Sequence, residues 1–217
     1  MRTNWIRRNI DKENIPAKCR LCGENDETIA HVLSKCKQLA QNEYKKVRHD
    51  KIAAAIHWHL SKKYGFQCGE KSYQHFVSKD NSVLENDEVK ILWDFSIQTE
   101  QKIEHNRPDI TVIDKKEKLC YVIDVACPFD TRIQKKEMEK VDAYTDLKYE
   151  ILKVWRGDVK KVVILPIIIG ALGSVTGRLQ KELEKLDYRN GLESIQKTCL
   201  LGSARIVRKV LDTPGID

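Results

Sequence analysis

Long apolar runs, low-complexity tracts and any surplus of glycine or proline are missing from this sequence. The longest apolar stretch, residues 162–172, contains Pro166 and falls far short of the roughly 20 residues a membrane-crossing helix needs, so no membrane role is expected. Ten glycines and five prolines in 217 residues exclude collagen-like and linker-like chains. A hydrophobic content of 41% supplies a real core, so disorder is not expected either. The N-terminus reads Met-Arg-Thr-Asn-Trp-Ile-Arg-Arg, without an apolar signal segment, and the seven cysteines are odd in number. Both features point to a reducing, intracellular compartment, nuclear or cytoplasmic. An acidic balance is also lacking. The 39 Lys and Arg outnumber the 32 Asp and Glu, and the formal charge of +7 favours polyanionic partners through phosphate neutralisation.

The length suits one domain of about 150 residues with a small appendage. Residues 1–40 hold three closely spaced cysteines and a histidine. Residues 41–88 read as a helix and linker. Tyr44, Val47, Ile52, Ile56 and Leu60 recur near helical spacing as far as Gly65, and residues 65–88 are polar without a sustained period. His57 and His59, two positions apart on that helix, face different directions and read as surface groups. Residues 89–217 form the larger unit. Runs at 89–97, 109–113 and 119–125 are strand-like. Thr131 with Gln134 reads as a capping box opening a helix to about Trp155. A buried strand follows at 161–169, then helices at 174–186 and 195–211. Gly170, Gly173 and Gly177 suit a tight strand-to-helix connection, with a phosphate contact through their backbone amides as the other reading. The order β-β-β-α-β-α predicts an α/β fold with a mixed sheet flanked by helices.

The first chemical motif is Cys19-x2-Cys22-x8-His31-x4-Cys36. A Cys-x2-Cys turn brings two sulfurs to one ion, and a His and Cys about a helical turn apart complete a tetrahedron, so a zinc knuckle is expected. Gly23 suits the turn after the second cysteine. Four ligands leave no open position, which makes this zinc structural, and the knuckle would present Lys18, Arg20, Lys35 and Lys37. Ordinary buried thiols beside a surface histidine are the bland alternative.

The second motif is a pair of carboxylates. Arg107-Pro108-Asp109 introduces one strand, and Asp124 interrupts the apolar run 121–126 of the next. A hairpin would bring these acids together, where they could hold Mg²⁺, activate a water and neutralise a phosphate under attack. A strand-end acid reaching solvent is the competing reading of Asp124. Projected at 100° per residue, Ile133, Tyr144, Leu147, Ile151 and Trp155 share a helix face with Lys140 in its middle. Lys140 there either stabilises charge on a phosphate or snorkels at the margin of the core. Glu137, a turn earlier, is a candidate third acid or partner for Lys140, and Asp94 is an additional candidate acid.

Arg107-Pro108-Asp109 with Asp124 resembles the PD-(D/E)xK motif of restriction-like nucleases. Joined to the upstream Cys-Cys-His-Cys knuckle, it resembles the C-terminal region of reverse transcriptases from site-specific non-LTR retrotransposons. The resemblance covers nearly the whole chain, from Cys19 to the helix carrying Lys140 and Tyr144. It implies a restriction-endonuclease-like domain that nicks chromosomal DNA to prime reverse transcription. The implied cofactors are structural zinc and catalytic magnesium, and the implied partners are DNA and the element's RNA. Asp109, Asp124, Lys140, Glu137 and Tyr144 would be catalytic, while Arg107, Lys18, Arg20 and Lys136 would contact nucleic acid. The motif's lysine is absent at Ala126. In this branch it is displaced to the following helix, which makes Lys140 the first candidate and Lys136 the second. No polymerase motif is present, so a fragment or a domesticated remnant is expected. A remnant that binds nucleic acid without cutting it is the alternative, and a structural interaction protein is a third.

Overall fold

The computed structural model describes residues 2–78 and 82–213. Its centre is a five-stranded mixed sheet whose spatial order follows the sequence: β1 (Val83–Glu85), β2 (Val89–Trp93), β3 (Ile110–Asp114), β4 (Leu119–Ala126) and β5 (Lys161–Ile168). The first four strands form an antiparallel meander, and β5 joins β4 in parallel. A parallel neighbour requires a crossover connection. Here it is made by α4 (Ile133–Ala143) and α5 (Thr145–Val154).

Side chains alternate between the faces of a strand, and both faces of this sheet are covered. Ile91, Ile110, Val112, Ile123, Val125, Leu165 and Ile167 meet α3 (Asp50–Lys63), α6 (Gly177–Lys185) and α7 (Gly191–Leu211) in one core. Ile113, Cys120, Val122 and Val162 face the other way, onto Leu147 and Ile151 of α5. The helix before β1 is therefore part of the main core. Its N-terminal extension, Ala40–His49, is wound in π-helical form. The N-terminal unit, with α1 (Asn4–Asn9) and α2 (Ile29–Ser34), has its own small core of Val32, Leu33 and Leu39, which continues onto Ile206 and Val210 of α7.

Several local expectations need correction. The segment 65–88 contains β1, a three-residue edge strand whose outer residues are exposed, so it carries no apolar alternation to read. Thr131 does not cap a helix, because residues Asp130–Arg132 form a 3-10 turn and α4 begins after Arg132 without a side-chain cap. The long helix to Trp155 is two helices broken at Tyr144. At Gly170 and Gly173 the tight connection stands and only the alternative phosphate contact is set aside, because the loop amides are already bonded. The Asp130 carboxylate already accepts hydrogen bonds from the Leu172 and Ser174 amides.

His57 is not a surface group. It is 1% exposed, with Nδ1 2.8 Å from Nε2 of His75 and Nε2 without a partner among the described residues. Burial, then the neighbouring His75, lowers its pKa from 6.5 to about 4. Between those values the unfolded chain binds a proton that the folded chain refuses, so stability falls as pH drops through this window. The loss is about 3 kcal/mol in all, because each tenfold difference in proton affinity is worth about 1.36 kcal/mol. Urea unfolding from pH 7 to 4.5 should show this slope, and His57→Gln should lose most of it. An equal slope in both proteins would rule out His57 as its source.

Candidate functional site

The cysteine and histidine side chains converge. One ligand atom from each of Cys19, Cys22, His31 and Cys36 lies within 4.8 Å of all the others. Cys19 Sγ and Cys36 Sγ are 3.9 Å apart, and Cys22 Sγ is 3.4 Å from His31 Nε2. A tetrahedral ion with Zn–S bonds of about 2.3 Å spaces its sulfurs about 3.8 Å apart, so this cluster could hold a zinc ion. Local folding explains the convergence. Gly23, at φ +68°, returns its amide to the Cys19 carbonyl, and the Thr28 hydroxyl caps α2 by accepting from the His31 amide. The Tyr44 hydroxyl accepts from the Cys36 amide and donates to the Val32 carbonyl. Burial, reinforced by Cys19 and Cys22 beside it, pushes the Cys36 thiol up to about 12. Clustered thiolates need a cation to be stable together.

The two aspartates also meet. Ile110 pairs with Ile123, so the next positions outward, Asp109 and Asp124, leave the strands on the same face, the one covered by α4 and α5. Directly opposed residues have Cβ atoms about 5 Å apart. Asp124 is 4% exposed; its Oδ1 accepts a 2.6 Å hydrogen bond from the Tyr144 hydroxyl. Lys140 Nζ lies 2.6 Å from Oδ2, a close ion pair. Burial, then the charge on Asp109, raises the pKa of Asp124, and Lys140 and Tyr144 oppose that rise. Asp109 Oδ2 accepts from the Val125 amide at 2.7 Å and contacts His49 Nε2 at 3.1 Å. Asp109 Oδ1 has no protein hydrogen bond among the described residues. Asp109 Oδ1 thus remains available to a cation, whereas Asp124 Oδ2 is buried against the Lys140 ammonium, which must shift before a cation can reach it. Both acids line an open cleft with Lys45, Arg48, Lys136 and Lys140.

His49 is the residue that sequence reasoning missed. It sits where the π-helical turn passes into α3, its Nδ1 2.9 Å from Asp50 Oδ1 and its Nε2 3.0 Å from the Val125 carbonyl. Burial disfavours its charge, but hydrogen bonds to Asp109 and Asp50 outweigh this and raise its pKa to about 10. Its one sequence signal is the His49-Asp50 pair at the start of a helix. Arg48 was missed as well. It is 1% exposed, bonded to Ser203 Oγ and the Cys127 carbonyl, and has no carboxylate partner among the described residues.

Other candidates are placed elsewhere. Glu137 is buried, accepts a hydrogen bond from the Thr176 hydroxyl, and is not among the residues that line the cleft of the two aspartates. Arg20 is not free for nucleic acid, because its guanidinium is 9% exposed and paired with the fully buried Glu27. Arg107 is half-exposed and its guanidinium holds the Asp94 carboxylate, while the Asp94 backbone lies beside Asp109, its amide donating to the Asp109 carbonyl at 2.7 Å. Lys18 pairs with Asp26 at the surface, and Lys136 pairs with Glu139 at the rim of the cleft.

No helix among the described residues is long and apolar enough to cross a membrane. No protein-family model matches the chain, and no curated protein is detectably similar to it.

Proposed function

We propose that this chain is a metal-dependent DNA endonuclease with a restriction-like site, the nuclease region of a non-LTR retrotransposon protein that nicks its target to prime reverse transcription. The observation that carries this reading is Asp124. A buried carboxylate is costly unless something compensates it, and this one opens on a basic cleft beside Asp109, with Lys140 and Tyr144 aimed at it. Asp109 Oδ1, and Asp124 Oδ2 once Lys140 moves from it to the phosphate, would hold Mg²⁺, which binds through one or two carboxylates and completes its shell with water and phosphate oxygens. The ion supplies a water of lowered pKa and charge neutralisation at the phosphate.

The protein's own groups have separable tasks. Tyr144 and the Val125 amide fix the two carboxylates. Lys140, Lys45 and Lys136 bind and orient the phosphodiester, and Arg48 adds an unneutralised positive charge under the cleft. His49 holds Asp109 from behind. The zinc knuckle braces the cleft wall, where Ser34 at the end of α2 also lies. Partners on this reading are target DNA and the element's RNA. The short Lys140–Asp124 contact is also what a non-cleaving, nucleic-acid-binding remnant would keep, since the lysine compensates the acid without any metal.

Supercoiled plasmid separates the two. Zinc-loaded protein should convert it to open circles when Mg²⁺ is added and leave it intact when Mg²⁺ is omitted. Omission is the better control because a chelator would strip the zinc too. Plasmid that stays supercoiled with Mg²⁺, or is nicked equally without it, removes the nuclease reading.

A further inference from the structure

A second cavity lies on the far side of the helical ridge that walls the acid cleft. It is lined by Lys46, Asp50, Lys51, His75, Phe76 and Trp93. Consecutive residues divide between the two cavities: Lys45 and His49 face the acids, and Lys46 and Asp50 face this groove. His49 and Asp50 are joined by their 2.9 Å contact, so a single side-chain relay separates the groove from Asp109.

Phe76 is 79% exposed, with Tyr73 nearby in sequence at 67%. Phe76 is not isolated, because it lines the groove together with Trp93, and contiguous exposed apolar surface rimmed by polar residues marks an interaction site. Trp93 forms a half-buried wall, its ring edge-on to His57, and the stacked His57–His75 pair pins the Phe76 segment against α3. Lys46 and Lys51 are exposed and form no ion pair among the described residues. Asp50, the groove's acid, is turned to His49. Aromatic faces with free cations at their edge suit an unpaired nucleic-acid strand, whose bases stack on rings while its phosphates meet lysines. Duplex DNA hides its base faces and cannot use Phe76.

We propose that the groove between Lys46, Lys51, Phe76 and Trp93 binds an unpaired stretch of the same nucleic acid whose phosphate occupies the acid cleft, so that the site prefers a junction of single strand and duplex. This rests on the nuclease reading for the cleft but is tested apart from it. The measurement is fluorescence anisotropy of a labelled single-stranded oligonucleotide, and of the blunt duplex of the same sequence, with zinc-loaded protein and no Mg²⁺.

Phe76→Ala should weaken single-strand binding about tenfold, the loss expected for one stacked base, and so lower the ratio of single-strand to duplex affinity. Lys46→Glu with Lys51→Glu should weaken single-strand binding further and flatten its salt dependence. Phe76 is solvent-exposed, so its replacement should not compromise folding; circular dichroism checks this. Unchanged single-strand binding in both variants overturns the proposal, as does an equal loss for both nucleic acids. Concentration-dependent self-association that Phe76→Ala abolishes, without any effect on the strand, would reassign the groove to a second copy of the chain. Nicking that persists with no Phe76 effect removes the groove alone. A Phe76 effect without Mg²⁺-dependent nicking removes the nuclease alone.

Discussion

Cys36→Ser should release stoichiometric zinc and unfold the N-terminal unit while the sheet remains folded. The size of the effect follows from what the cluster replaces. The unit's core consists of little more than Val32, Leu33, Leu39 and the ligands themselves, too few apolar groups to offset the entropy of ordering a unit of that length. Structural zinc in comparable small units contributes about 10 kcal/mol or more of apparent binding free energy at neutral pH, and that energy is folding energy. A hydroxyl in place of the Cys36 thiolate removes one of four donors. It also leaves the remaining ligands buried without their cation. Inductively coupled plasma mass spectrometry should find one zinc per wild-type chain and far less in the variant. Calorimetry should show the variant missing one transition and keeping that of the main core. The α7 face carrying Ile206 and Val210 would lose its cover, so the variant should bind a hydrophobic dye. Zinc-free wild-type protein that is equally folded would sink the structural role.

Asp124→Asn should abolish Mg²⁺-dependent nicking, by about 10³-fold or more, yet leave the melting temperature unchanged or higher. The two halves of this expectation come from one fact. Burial raises the pKa of Asp124, which means the fold disfavours its charge. A neutral amide keeps the size and the contact with Tyr144 while removing that strain, although it also gives up the attraction to Lys140. Catalysis depends on the charge, because a metal bound through one remaining carboxylate loses several kcal/mol of phosphate neutralisation, at about 1.36 kcal/mol per tenfold in rate. A merely structural aspartate would behave in the opposite way, losing stability with little change in activity. Full nicking by the variant would remove Asp124 from the site.

What could be read from the residues was whatever depends on short sequence separations. Cys19, Cys22, His31 and Cys36, which could hold a zinc ion, lie within one small unit and their spacing carries the geometry. Strands β3 and β4 show as apolar runs, and Asp124 shows as the charge that breaks one of them. Lys140 stood out on an apolar face, and it does touch Asp124. The unreadable parts depend on distant partners. His57 is buried because His75 and Trp93 cover it. Arg20 is consumed by Glu27, whose burial has no local pattern. The break between α4 and α5 coincides with the residue whose hydroxyl reaches Asp124, a tertiary contact that overrides a continuous helical period. His49 reaches Asp109 from a different part of the chain altogether.

The position of Asp50–Lys63 under the sheet has a consequence for how the chain can be divided. This helix shares one apolar core with β2 through β5, and the segment that follows makes an excursion, pinned to the helix by His75, that carries the exposed Tyr73 and Phe76. A single protease cut in that excursion would sever the backbone without separating the body. The two pieces would co-elute in native buffer and part only in denaturant. The knuckle with His49 would sit on one piece and both aspartates on the other, so a gene split at that point would still yield one assembled site.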